Sequence, residues 1–259
     1  MTCRILFSIA FSAFTLSSSA QEVSVAKLSL YYQKFVDFSD QSQSDSATHY
    51  RALFKEQVIN GVKVNHTATL YALSELARQE IGFQFQKTTD TKLYSVCWDD
   101  QTGGTMRNFE GFYIYHNGSV CVTETIHPVR EEFSAGSNVY ALHQVNTSKG
   151  KAIYLQFEYV KASTSLFRYT VSSLSIERGK LNRQAKYIKT GSGLQHSISY
   201  GLDWSEKVNR DRGNLNIKQA LTYDATLKQF SFPLVQQDGT ISTKRIKYGF
   251  KGSYFELVQ

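Results

Sequence analysis

The sequence predicts an α+β fold, mostly antiparallel β with an N-terminal helical segment. Three observations carry that reading. Apolar residues recur every three or four positions before Gly82, they alternate with polar ones after it, and turn signals rather than helices separate the alternating runs. Parallel strands need crossovers of about a dozen residues or more, so the short spacing points to antiparallel pairing. The expected organisation is a signal peptide over residues 1–20, a helical segment over 21–81 and an antiparallel β domain over 82–259.

The first twenty residues read as an export signal. Met1-Thr2-Cys3-Arg4 is a short basic start, and Ile5 to Leu16 is an apolar run too short to span a bilayer. Ser18 and Ala20 supply the small residues that signal peptidase reads, which places cleavage after Ala20. Cys3 precedes the apolar run, so no lipid-anchored cysteine is expected at the new N-terminus. The mature protein is expected to be secreted or periplasmic. No other stretch approaches the roughly 20 apolar residues of a membrane span.

Three helices are expected next. Val25, Leu28, Tyr31, Tyr32, Phe35 and Val36 share one face, with Ser24 as N-cap. The polar run from Ser39 to Ser46 predicts a loop whose Asp45 or Ser46 caps a second helix. That helix carries Tyr50, Leu53, Phe54 and Val58 and is expected to stop at Asn60-Gly61, a favourable left-handed exit. A third runs from Leu70 to Ile81 on Leu70, Leu73, Leu76, Ala77 and Ile81.

From Gly82 the period is near 2. Phe112 to His116 and Ser119 to Thr123 flank Asn117-Gly118, a strong hairpin signal. Further strands are expected over residues 139–144, 152–160, 167–177, 185–189, 195–204, 219–223, 229–234, 243–250 and 254–258. Lys149-Gly150, Arg178-Gly179, Asp224-Ala225-Thr226, Gln237-Asp238-Gly239 and Lys251-Gly252 supply the turns.

A charged fraction of 20% beside 41% apolar residues excludes wholesale disorder, because the chain can bury enough apolar area to offset its ordering entropy. The formal charge of +7 admits an anionic partner. Basic residues concentrate at Arg178, Lys180, Arg183, Lys186 and Lys189, and again at Lys244, Arg245, Lys247 and Lys251. In an exported protein an acidic glycan, headgroup or protein fits them better than nucleic acid. A solvated sheet face whose lysines blunt edge pairing is the plainer alternative. Cys97 and Cys121 remain after cleavage, and an even pair in an oxidising compartment predicts one disulfide. Two buried reduced thiols are the alternative.

The most site-like stretch is Trp98-Asp99-Asp100 through Gly103-Gly104 to Arg107, which gathers an indole, two carboxylates, a flexible turn and a guanidinium within ten residues. These are the groups that stack on sugars and bond their hydroxyls. A plain β-turn, with an aspartate satisfying backbone N–H groups, is the structural alternative. Asp99 and Asp100, with Glu110 and Glu124 nearby in sequence, also admit acid and base catalysis on glycosides. Gly191-Ser192-Gly193 is too short for a nucleophile elbow. The six histidines, His49, His66, His116, His127, His143 and His196, show no His-x-x-x-His spacing, so no metal site and no cofactor are expected.

The run Tyr94-Ser95-Val96-Cys97-Trp98-Asp99-Asp100-Gln101-Thr102-Gly103-Gly104-Thr105-Met106-Arg107 resembles a segment of exported β-rich proteins of Bacteroidetes-type bacteria. Lys189-Thr190-Gly191-Ser192-Gly193-Leu194 is similar to the same group, as is the closing run from Leu221 through Phe232-Pro233-Leu234 to Phe255. The resemblance implies a shared fold and carries no activity or ligand. The resemblance assigns no role to Cys97 or Cys121, so the expected disulfide rests on the export argument alone. Together these readings favour an exported, non-enzymatic binding or interaction module for a glycan or protein partner at the cell envelope. A secreted glycan hydrolase using carboxylates near Asp99 and Asp100 is one alternative, and a periplasmic inhibitor or immunity-type protein is another.

Overall fold

The N-terminal apolar stripes fold as two helices, the second kinked so that its last stretch covers most of the expected third. A computed structural model describes residues 25–127, 136–205 and 220–258. The signal peptide, the Ser24 cap and the first residue of the 219–223 strand lie outside that range. Helix α1 (Val25–Asp40) buries Leu28, Tyr32 and Phe35, as its period requires. Helix α2 (Ser44–Gln79) begins after Gln43, which offers no side-chain cap, so neither Asp45 nor Ser46 caps it. It runs straight through Asn60-Gly61, where the sequence predicts an exit. Gly61 is buried there, and helical packing overrides a weak local preference. The break falls instead at Asn65 (φ −149°, ψ 82°), whose Oδ1 accepts the Ala68 N–H at 3.1 Å and whose carbonyl accepts the Thr69 hydroxyl at 2.8 Å. Asn65 thus ends one helical stretch and caps the next. Ile81 lies beyond α2 and is 98% exposed, so it belongs to no buried stripe.

The remaining described residues form three sheets, nearly all antiparallel. The first has the order β1 (Phe83–Lys87), β2 (Leu93–Asp99), β3 (Phe109–Asn117), β4 (Val120–Thr125). Its β3–β4 hairpin pairs Asn117 with Val120 and turns on Gly118-Ser119, one residue beyond the expected Asn117-Gly118 loop, with Gly118 at φ +63°. The second sheet places β5 (Asn138–Asn146), β6 (Ala152–Lys161), β7 (Leu166–Glu177) and β11 (Ser197–Asp203) side by side, with β8 (Lys180–Asn182) paired to β7. The third contains β9 (Ile188–Thr190), β10 (Gly193–Gln195), β12 (Thr222–Asp224), β13 (Gln229–Val235), β14 (Ile241–Phe250) and β15 (Phe255–Leu257). One parallel pair, β15 with β9, departs from the antiparallel expectation.

Three buried clusters show how these layers stack. One joins both helices to the outer face of the first sheet through Phe54, Phe83, Trp98 and Ile114. A second joins that sheet's other face to the second sheet through Cys97, Tyr113, Leu142 and Tyr154. A third fills the space between the second and third sheets with Phe157, Tyr169, Phe230 and Phe255. The helices therefore share a core with the first sheet. Each fully buried Leu or Phe in these clusters stabilises the fold by about 1.5–3 kcal/mol before entropy is counted. A polar seam pins the first sheet to the second: the Tyr113 hydroxyl donates to Gln156 at 2.5 Å, and Tyr154 donates to Asp90 at 2.9 Å. Among the described residues no helix is long and apolar enough to cross a membrane.

The layering overturns the expected disulfide. Cys97 and Cys121 are both free, buried thiols. Cys97 belongs to the cluster between the two sheets and Cys121 to the cluster under the helices, on opposite faces of one sheet with β3 between their strands. Side chains alternate faces along a strand, so no rotamer brings these two sulfurs together.

Candidate functional site

The loop between β2 and β3 departs from the sugar-binding arrangement in one respect. Trp98 is 0% exposed. Its ring stacks on Phe83 (centroids 6.2 Å apart, 9° between planes) and meets Phe54 edge-on at 5.2 Å and Phe112 at 5.7 Å. The indole is thus a buried anchor between α2 and the first sheet.

Asp99 and Asp100 diverge. Asp100 turns toward α2, where Arg51 Nη1 lies 3.7 Å from its Oδ2, and its Oδ1 accepts the Thr102 N–H at 3.0 Å and hydroxyl at 2.6 Å. Asp99 accepts the Gln101 N–H at 2.9 Å and pairs with Arg107 at 3.1 Å. Burial raises the Asp99 carboxyl above its ordinary value, against the opposing pull of the Gln101 N–H and Arg107. The Arg107 N–H in turn donates to the Lys161 carbonyl at the end of β6, which ties the loop to the second sheet. Gly103 and Gly104 shape the turn: a Cβ at Gly103 would lie 1.8 Å from the Met106 carbonyl oxygen, and Gly104 sits at φ +55°. Each of the two carboxylates is thus paired with its own guanidinium.

What the loop does build is one wall of a cleft. Asp100, Gln101 and Thr102 face Ser39, Ser42, Ser44 and Thr48 from the α1–α2 turn across a space of about 310 Å³, floored by Phe35, Ala47 and Arg51. Asp100 braces both Thr102 and Arg51 at this wall, its own side chain being 1% exposed. Asp100→Asn keeps an acceptor for Thr102 and loses the charge opposite Arg51. It is expected to lower the unfolding free energy by about 1–3 kcal/mol, read by urea titration. An unchanged midpoint would remove the ion pair from the account.

The basic strands do not converge into one patch. Arg183 donates to the Thr125 and Ile126 carbonyls and lies 5.2 Å over the Tyr113 ring, joining β8 to the first sheet. Arg245 bonds Ser231 Oγ at 2.8 Å, the Ser231 carbonyl at 2.7 Å and Thr222 Oγ1 at 3.2 Å, inside the third sheet. Lys189 pairs with Glu256 at 2.6 Å. Arg178, Lys180, Lys186, Lys244, Lys247 and Lys251 are exposed. Solvated strand faces describe most of this charge.

A second constellation was not legible from spacing. His66 follows the Asn65 break, His116 and Cys121 sit opposite each other on β3 and β4, and the ligand atoms of all three lie within 4.8 Å of one another. The Cys121 sulfur is 3.6 Å from His116 Nδ1 and 3.7 Å from Nε2, and the two imidazoles meet edge-on at 5.5 Å. Burial raises the Cys121 thiol above its ordinary value. The expectation that no metal-binding set exists rested on sequence spacing, which is blind to a helix laid across a hairpin.

No protein-family model matches the chain, and no curated protein is significantly similar to it in sequence.

Proposed function

We propose that this protein is an exported, non-enzymatic binding module that takes a single glycan unit in the cleft between the α1–α2 turn and the β2–β3 loop. One observation carries the reading: the loop singled out by its sequence forms one wall of a space ringed by Ser39, Ser42, Ser44, Thr48, Gln101 and Thr102. Sugar hydroxyls both donate and accept, and serine, threonine and glutamine side chains answer both roles, while Arg51 adds fixed donors. About 310 Å³ is at the small end of ligand sites and suits one ring better than a protein segment. The leader expected over residues 1–20 and the resemblance to exported proteins of Bacteroidetes-type bacteria support a place at the cell envelope. Binding is favoured over hydrolysis because each loop aspartate already holds its own guanidinium and backbone N–H.

Thr48 is exposed on α2 at the cleft wall, so Thr48→Trp fills the space without entering the core. Calorimetric titration with a panel of mono- and disaccharides is expected to find a ligand for the wild type. The Thr48→Trp affinity should be at least about tenfold weaker, a change of 1.4 kcal/mol, with the unfolding midpoint retained. The reading fails if no saccharide binds at millimolar concentration, or if Thr48→Trp binds as the wild type does.

A further inference from the structure

Three soft or borderline donors from three separate elements meet beside the β3–β4 hairpin, away from the cleft. We propose that His66, His116 and Cys121 form a site for one thiophilic d¹⁰ cation, Zn²⁺ or Cu⁺. The site is independent of the glycan reading and shares no residue with it.

Donor chemistry selects the ion class. Two imidazoles and one thiolate suit Zn²⁺ and Cu⁺, whereas Mg²⁺ and Ca²⁺ need oxygen ligands that this trio does not supply. The distances suit it as well. With metal–sulfur and metal–nitrogen bonds of about 2.3 and 2.05 Å, tetrahedral coordination sets nitrogen and sulfur about 3.6 Å apart. His116 and Cys121 already stand at 3.6 and 3.7 Å, by either ring nitrogen. His66 needs to close by about 1 Å from the 4.8 Å limit, within reach of a side-chain rotation for a half-buried ring.

The fold also builds this meeting deliberately into its backbone. The Gly118-Ser119 turn sets His116 opposite Cys121, and the Asn65 break re-aims α2 where His66 begins the next turn. Among the described residues neither imidazole has a hydrogen-bond partner apart from the Cys121 sulfur, so no competing bond has to be broken. Both imidazoles are half-buried, which leaves water access for a fourth ligand. On binding, the Cys121 Sγ–H bond breaks, its proton goes to solvent and the sulfur electron pair forms the metal bond. The histidines bind as neutral rings, and nothing is oxidised or reduced.

The test uses the full-length protein stripped of metal and titrated with Co²⁺, whose absorption reports its ligands. One equivalent is expected to bind with a near-ultraviolet thiolate-to-cobalt band and tetrahedral visible bands, all lost on adding one equivalent of Zn²⁺. Cys121→Ser should lose the near-ultraviolet band. His66→Gln and His116→Gln should each bind at least about tenfold more weakly. His49→Gln, an exposed histidine elsewhere on α2, should match the wild type. Because Cys121 is buried, His66→Gln, on a half-buried helical position, keeps the test decisive if the serine variant fails to fold. Anaerobic Cu⁺ titration against a chromogenic chelator separates the two ions, and tighter binding of either supports the site. Stoichiometric binding of neither ion, a band that persists in Cys121→Ser, or a His66→Gln affinity equal to wild type overturns it.

Discussion

Trp98→Ala is expected to lower the unfolding free energy by about 3–5 kcal/mol, the range for removing a buried tryptophan. For a chain of this size that corresponds to a fall of about 10 °C in midpoint. The side chain is fully buried among Phe54, Phe83 and Phe112, so truncation opens a cavity where α2 meets the first sheet. A ligand platform behaves in the opposite way: truncation abolishes binding and leaves stability almost unchanged. Urea unfolding followed by circular dichroism separates the two. Trp98→Phe sharpens the test. The indole N–H has no hydrogen-bond partner among the described residues, and phenylalanine removes that buried donor while keeping a ring against Phe83. It should therefore recover more than half of the loss. A change below about 1 kcal/mol for Trp98→Ala would contradict the anchor role, because cavity creation at a fully packed site costs more than that.

Trp98 also shows where sequence reading stops. An indole beside two aspartates and a Gly-Gly turn has the composition of a binding loop, yet β2 is buried on both faces and its tryptophan points inward. The same double burial explains why Leu93–Asp99 lacks the alternation that marks its neighbours: a strand covered by helices on one side and a sheet on the other reads as a continuous apolar run. Strands with one wetter face, such as β7 and β13, were legible by period, and the existence of the β3–β4 hairpin by its turn chemistry, although the loop sits one residue later than Asn117-Gly118. Cysteine parity misled, because export chemistry says that two thiols are available to pair and nothing about which face each occupies. Convergence of His66 with His116 and Cys121 was out of reach for a related reason. Fifty residues separate His66 from His116 in the chain, and their meeting depends on the docking of α2 over β4, a tertiary fact with no local signature. The asparagine that breaks α2 carries a weak clue, since its side chain caps helices well, but asparagine at position 60 carries the same clue and the helix runs through it.

His143 should add an acid sensitivity of its own between pH 6.5 and 4. Its ring lies between Tyr223 (centroids 4.5 Å, 27° between planes) and Phe157 (4.9 Å), with no hydrogen-bond partner among the described residues. Burial therefore pushes its pKa down from 6.5 to about 4. The sign follows from proton counting. Between pH 6.5 and 4 the unfolded chain holds a proton on this residue that the folded chain excludes, so stability falls as the pH falls through that window. Each pH unit costs about 1.4 kcal/mol at most. The two aromatic rings return part of this by attracting the imidazolium, by about 0.5–1 kcal/mol. The net expectation is a loss of about 2–3 kcal/mol between pH 7 and pH 4. Carboxylates that titrate at lower pH affect wild type and variant alike, so the comparison is with His143→Leu, which fills the same space and cannot be charged. Wild type should lose about 2–3 kcal/mol more than His143→Leu across that interval in urea unfolding. Parallel pH profiles would mean that the imidazole is solvated or partnered in the folded state, and the packing of β5 against the third sheet would then be looser than the Tyr223 stack implies.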